Sequence, residues 1–134
     1  MAELLVAKGL DDQNPNTAKQ FGGLHILSNF GSPRTVILQE YQLFKDFIDN
    51  EISRLHLSKV GEVYHNFEGG GFTGVVCLAE SHLSVHTWPS QGYVTFDVYL
   101  SNHMNDNSEK AKTLYQAVLG LFEADVLFEQ AVNR

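Results

Sequence analysis

The spacing of apolar residues changes several times along the chain, and each change marks an element. A Gly22-Gly23 break precedes Leu24-His25-Ile26-Leu27, a short strand candidate. Ile37, Tyr41, Phe44, Ile48, Ile52 and Leu55 then recur three or four residues apart, which predicts an amphipathic helix over about 34–55. Ser32 and Pro33 stand before it as a capping hydroxyl and a proline suited to the first helical position. Residues 60–67 alternate loosely around Val63 and Phe67 and predict a strand. Glu68-Gly69-Gly70-Gly71 predicts a turn, followed by two buried strands over 74–79 and 82–87. Trp88-Pro89-Ser90-Gln91-Gly92 turns the chain into a strand over 93–100, with Val94, Phe96 and Val98 on one face. Ala111, Leu114, Tyr115, Val118, Leu121 and Phe122 predict a second helix over 108–122, with Asp106 and Glu109 as a candidate capping box. Residues 125–132 alternate around Val126 and Phe128 and predict a last strand.

Runs of neighbouring strands with two helices predict an α/β two-layer sandwich: a mainly antiparallel sheet with both helices packed on one face. Residues 1–20 carry Asp11, Asp12, Asn14, Pro15 and Asn16 and read as a flexible leader, leaving 21–134 as a single domain. The 134 residues are 43% apolar and include nine Phe, enough for a core without staples.

Charge and cysteine content narrow the function classes. Sixteen Asp and Glu against nine Lys and Arg give a net charge of −7 with no basic stripe, so nucleic acid is not an expected partner. A negative field modestly favours a small cationic ligand. No run approaches the roughly 20 apolar residues of a membrane span. The patch Leu4–Ala7 is too short for a signal peptide, so a cytoplasmic protein is expected. The single cysteine, Cys77, excludes an internal disulfide and a Cys-rich zinc site. In the run Val75-Val76-Cys77-Leu78 it reads as a core residue.

Candidate chemistry is concentrated between Thr73 and Asn102. Glu80-Ser81-His82 places polar groups between two apolar strands, where unpaired polar atoms are costly. His82, Ser84 and His86 share one strand face by alternation. A metal site on His82 and His86 would have only Asp97 as a third ligand, without local support, and no metal is expected. His25, His56 and His103 read as hydrogen-bonded structural residues. A hydrolase set of Ser81, His86 and Asp97 lacks the glycines of a nucleophile elbow. Gly69-Gly70-Gly71-Phe72 lacks the Lys-Ser/Thr of a P-loop and precedes a strand.

One longer pattern is more specific. Glu80-Ser81-His82-Leu83, His86-Thr87-Trp88-Pro89 and Gly92-Tyr93 follow one another without a gap, with Gly71-Phe72-Thr73-Gly74-Val75-Val76 upstream and Asp97 downstream. Over about residues 65–101 the chain resembles the prokaryotic S-adenosylmethionine decarboxylase proenzymes, self-processing pyruvoyl enzymes of polyamine (spermidine) synthesis. The resemblance implies that Ser81 attacks the Glu80 carbonyl and converts the peptide bond to an ester. Elimination and hydrolysis then cut the chain between 80 and 81 and leave a pyruvoyl group made from Ser81. That ketone forms a Schiff base with the substrate amine and accepts electrons as carbon dioxide leaves. By the same resemblance His86 and Thr73 assist processing, Phe67 stacks on the substrate adenine, Glu80 and Ser90 border the substrate, and the protein is a homodimer with sites near the interface.

Two positions depart from the family pattern. Ser101 stands where the family has a cysteine that protonates the product, and a hydroxyl is a far weaker acid than a thiol of pKa near ~8.5. Ser90 stands where the family has a glutamate that binds the ribose hydroxyls. Two alternatives follow: the same chemistry on arginine or ornithine, which lack a ribose, or a non-catalytic relative acting as a binding or regulatory subunit.

Overall fold

The computed structural model describes residues 22–134, so the leader expected over 1–20 lies outside the described residues. Eight main elements follow in order: β1 (Gly23–Gly31), α1 (Gln42–Arg54), β2 (Lys59–Asn66), β3 (Phe72–Leu78), β4 (Ser81–Trp88), β5 (Tyr93–Ser101), α2 (Ser108–Phe122) and β6 (Asp125–Asn133). The six strands form one sheet in the order β2-β3-β4-β5-β1-β6, and each neighbouring pair is antiparallel. The two-layer α/β architecture is the one the sequence pattern predicts.

Period-two alternation divides the sheet into two unlike faces. Leu24, Ile26 and Phe30 of β1, Phe72 and Val76 of β3, Leu83 and Val85 of β4, and Val94, Phe96, Val98 and Leu100 of β5 are buried on one of them. Both helices cover that face. Phe44 of α1 packs on Phe72 and Phe122, Phe122 of α2 packs on Phe30, and Tyr115 stacks on Phe96. The other face carries His25, Thr73, His82, Ser84, His86, Thr95, Asp97, Tyr99 and Ser101, and neither helix lies on it.

Four local expectations are corrected. The first helix begins at Gln42, not near 34. Residues 34–39 instead make tight turns, with amides of Ile37, Leu38 and Gln39 bonded three residues back. The reason is competition for carbonyls. The Thr87 hydroxyl donates to Leu38 O at 2.7 Å and Gly71 N–H donates to Gln39 O at 2.9 Å, so neither oxygen is left for a helical bond. Ser32 does not cap that helix: its hydroxyl donates to Phe122 O at 2.6 Å and ties β1 to the end of α2.

At the second helix the capping box is not made. The cap residue is Asn107, whose amide reaches Ser101 O, while Asp106 accepts from Ser108 N–H. Cys77 is exposed on the uncovered face, not in the core. An apolar run of β-branched neighbours concealed the alternation that turns it outward.

Candidate active site

The Glu80–Ser81 bond sits in a hairpin turn. Leu78 pairs with Ser81, which leaves Ala79 and Glu80 as a two-residue loop between β3 and β4. Ser81 is held at φ 149°, a region that side-chain-bearing residues rarely adopt. Such strain costs on the order of 1–3 kcal/mol and persists only where the surroundings enforce it. Here the flanking backbone is pinned on both sides. Ala79 N–H donates to Ser58 O at 2.8 Å, and Ser101 N–H donates to Glu80 O at 2.7 Å. The second bond polarises the carbonyl next to Ser81. The Glu80 carboxylate turns the other way and accepts from Ser58 N–H at 3.2 Å. A small cavity of about 160 Å³ opens beside this turn, lined among others by His56, Glu80, Ser101, His103 and Lys110.

A second cluster lies at the opposite end of β4. The Thr73 hydroxyl and His86 Nδ1 are 2.6 Å apart across the β3–β4 pair. They border a cavity of about 400 Å³ whose walls include Phe67, Phe72, Thr73, His86, Trp88, Pro89 and Ser90. The volume suits a small organic ligand. Phe67 and Trp88 are 50% and 43% exposed, so both rings are available to a guest. No acidic residue lines this cavity among the described residues. The Gly69–Gly71 turn closes one side, as the sequence predicts. Its glycines all have positive φ, and a Cβ on Gly71 would meet Thr87 O at 3.0 Å.

Between the two ends runs a polar network on the uncovered face. His25 Nε2 lies 2.7 Å from Asp97 Oδ2, and Ser84 Oγ donates to Asp97 Oδ1. His82 Nε2 is 3.6 Å from the same carboxylate, and His82 Nδ1 is 3.3 Å from Ser81 Oγ. Burial alone would raise the Asp97 carboxyl, but hydrogen bonds from His25 and Ser84, with the two imidazoles nearby, hold it below the ordinary carboxylate value.

The expected site residues therefore fall into two groups. Glu80, Ser81 and Ser101 meet at one end of the sheet, and Phe67, Thr73, His86 and Ser90 meet at the other. Five register steps of the β3–β4 pair separate Thr73 and His86 from Ser81, about 17 Å at ~3.3 Å per residue. Sequence reasoning missed the part of His25, which shares the uncovered face only because β1 pairs with β5 in the register His25↔Tyr99.

The family model described as S-adenosylmethionine decarboxylase matches residues 24–127. The chain belongs to the S-adenosylmethionine decarboxylase family. Over 77 residues, 58% of the chain, it is 34% identical to the S-adenosylmethionine decarboxylase proenzyme of Archaeoglobus fulgidus and 38% identical to that of Aquifex aeolicus. The matched segment spans 69% of the first protein's length and 57% of the second's. Among solved structures, the adenosylmethionine decarboxylase of Aquifex aeolicus superposes with a TM-score of 0.72 at 26% identity, covering 86% of this chain and 90% of that one. Family membership accounts for the fold, and the chain's own Glu80-Ser81-His82-Leu83 segment falls on the strained turn.

Proposed function

We propose that the protein is a self-processing, pyruvoyl-dependent decarboxylase that converts S-adenosylmethionine to its decarboxylated form and carbon dioxide. The observation that carries the reading is the strained Glu80–Ser81 turn, with Ser81 at φ 149° and the Glu80 carbonyl held by Ser101 N–H at 2.7 Å. Attack of Ser81 Oγ on that carbonyl relieves the strain, and a backbone donor is already aimed at the oxygen that becomes negative. The residues at the turn thus fit the formation of a pyruvoyl group from Ser81. That group supplies an electron sink for loss of carbon dioxide from an α-amino acid. The chain's own part is to bind and orient the substrate and to exclude water.

The aromatic cavity supports S-adenosylmethionine over arginine or ornithine. A guanidinium or ammonium side chain would find no carboxylate among the cavity residues described, whereas Phe67 and Trp88 offer faces to an adenine or a sulfonium. Ser90 lines the same cavity and gives a ribose one hydroxyl in place of a carboxylate, so binding is weaker than a glutamate there would allow.

The distance between the two groups of residues supports a homodimer. Thr73 and His86 are too far from Ser81 of their own chain to act on it, and both groups lie on or beside the uncovered face. A second copy, laid antiparallel on that face, would bring the Thr73–His86 pair of one chain toward the cleavage turn of the other. The aqueous cytoplasm is the compartment in which such an enzyme meets its substrate, and no described helix is long and apolar enough to cross a membrane.

Release of carbon dioxide from carboxyl-labelled S-adenosylmethionine, arginine and ornithine tests the assignment. The expected result is turnover of S-adenosylmethionine above both amino acids. Preference for arginine or ornithine would overturn the substrate and leave the chemistry standing.

A further inference from the structure

We propose that His82 is the general base that activates Ser81 for self-cleavage in its own chain, held for that task by Asp97, His25 and Ser84. The inference rests on the self-processing reading and assigns a residue to its first step.

The donors and acceptors of the network, with His82 and Asp97 at ion-pair distance, form one consistent sequence. Arg134 Nη1 lies 3.4 Å from His25 Nδ1, and a guanidinium can only donate, so Nδ1 accepts. His25 then carries its proton on Nε2 and donates to Asp97 Oδ2 at 2.7 Å. Ser84 donates to Asp97 Oδ1. An acceptor-only carboxylate so supported attracts the remaining N–H within reach, His82 Nε2 at 3.6 Å. With its proton on Nε2, His82 presents a lone pair on Nδ1, and that atom faces Ser81 Oγ at 3.3 Å. Catalytic contacts are commonly this loose before the reacting state forms. The ordering ionic partner, the base and the nucleophile thus stand in sequence, the logic by which an acid orients a histidine toward a hydroxyl.

The step balances without a co-reactant. The Ser81 Oγ proton passes to His82 Nδ1 while Oγ bonds to the Glu80 carbonyl carbon. The developing oxyanion is met by Ser101 N–H, already 2.7 Å from that oxygen. The bond from the Glu80 carbon to Ser81 N then breaks, His82 returns its proton to that nitrogen, and the product is an ester with a free amine. His86 cannot take this part within one chain, being five register steps away. His82 is the catalytic residue here; Asp97 and His25 are positioning residues, since they reach Ser81 only through it.

The test follows cleavage of the full chain made by cell-free translation, by intact mass over time, with and without hydroxylamine, which cleaves an accumulated ester. His82→Gln is expected to slow the cut about 100-fold or more, the usual worth of a general base, with no ester for hydroxylamine to release. Imidazole added to His82→Gly is expected to restore part of the rate, since the ring it replaces is partly open to solvent. Asp97→Asn should slow ester formation with Asp97→Glu recovering part of it, a rescue that loss of packing would not show. A wild-type rate in His82→Gln and His82→Gly overturns the assignment, as does ester accumulation in the slow variant, which would place His82 after the acyl shift. A wild-type chain that never cuts overturns the self-processing reading and the base together. A wild-type chain that cuts beside variants that cut equally fast removes the base alone.

Discussion

Ser101 and Ser90 bear differently on the proposed making of the reactive group and on its proposed use. Ser101 contributes its backbone N–H to the Glu80 carbonyl, a role any residue but proline could fill, so the change from the family cysteine leaves that bond intact. The side chain is another matter, because a hydroxyl is a poor acid at neutral pH. Ser101→Cys is therefore expected to raise turnover several-fold without changing the rate of the cut, measured as carbon dioxide release against intact mass. Ser90→Glu is expected to lower KM for S-adenosylmethionine by about tenfold, the worth of one charge-assisted pair to a ribose. Asp97 gives a pH prediction. Its folded value lies below the unfolded one, so the stability it adds is present above the ordinary carboxylate range and is lost as pH falls through the lowered value. In urea unfolding, Asp97→Asn should be less stable than wild type at pH 7, and the difference should shrink as pH falls below the ordinary carboxylate range. The candidates Ser81, His86, Thr73 and Ser101 come from one gapless motif. Their division into two distant groups was not legible there, because distance along β4 depends on strand register and the motif carries no scale.

At the level of elements, β5 and α2 were legible because alternation and a three-to-four spacing run through them, whereas β3 was legible only as an apolar run that hides its alternation. The start of α1 was not. Ile37 and Tyr41 continue the helical spacing, yet the Leu38 and Gln39 carbonyls are taken by Thr87 and Gly71 from the sheet. Tertiary partners outbid the local pattern, and nothing in residues 33–41 signals those partners. The Thr87 hydroxyl also accepts from Phe72 N–H at 2.9 Å, so it joins β3, β4 and the α1 approach at one buried point. Thr87→Val leaves those groups without a partner and is expected to cost about 1–3 kcal/mol in chemical denaturation. Tyr64 on β2 gives the reverse case. Its ring stacks on Tyr41, and its buried hydroxyl has no hydrogen-bond partner among the described residues. Burial also pushes its ionisation well above the ordinary tyrosine value. Tyr64→Phe keeps the stack and removes the orphaned donor, so it should raise stability by about 1 kcal/mol.

For the whole molecule, the central fact is a sheet with one face covered by helices and the other bearing Thr73, His82, His86 and Asp97, with the Glu80–Ser81 turn at one end and the aromatic cavity at the other. A single chain holds the cleavage turn and the aromatic cavity about 17 Å apart, by five strand steps of ~3.3 Å. The proposed dimer joins them and makes a complementation prediction. Neither Ser81→Ala nor His86→Ala is expected to cut alone. Co-folded in equal amounts, about half of the His86→Ala chains should be cut, namely those paired with a Ser81→Ala chain that brings an intact His86. No cut in the mixture would mean that His86 acts within its own chain, against the spacing along β4.

Intact mass of the purified protein tests the central claim most directly. The account predicts two species, one ending at Glu80 and one beginning with a pyruvoyl group at position 81, with a single uncut species in Ser81→Ala. One uncut mass for the wild-type chain under the same conditions would contradict it.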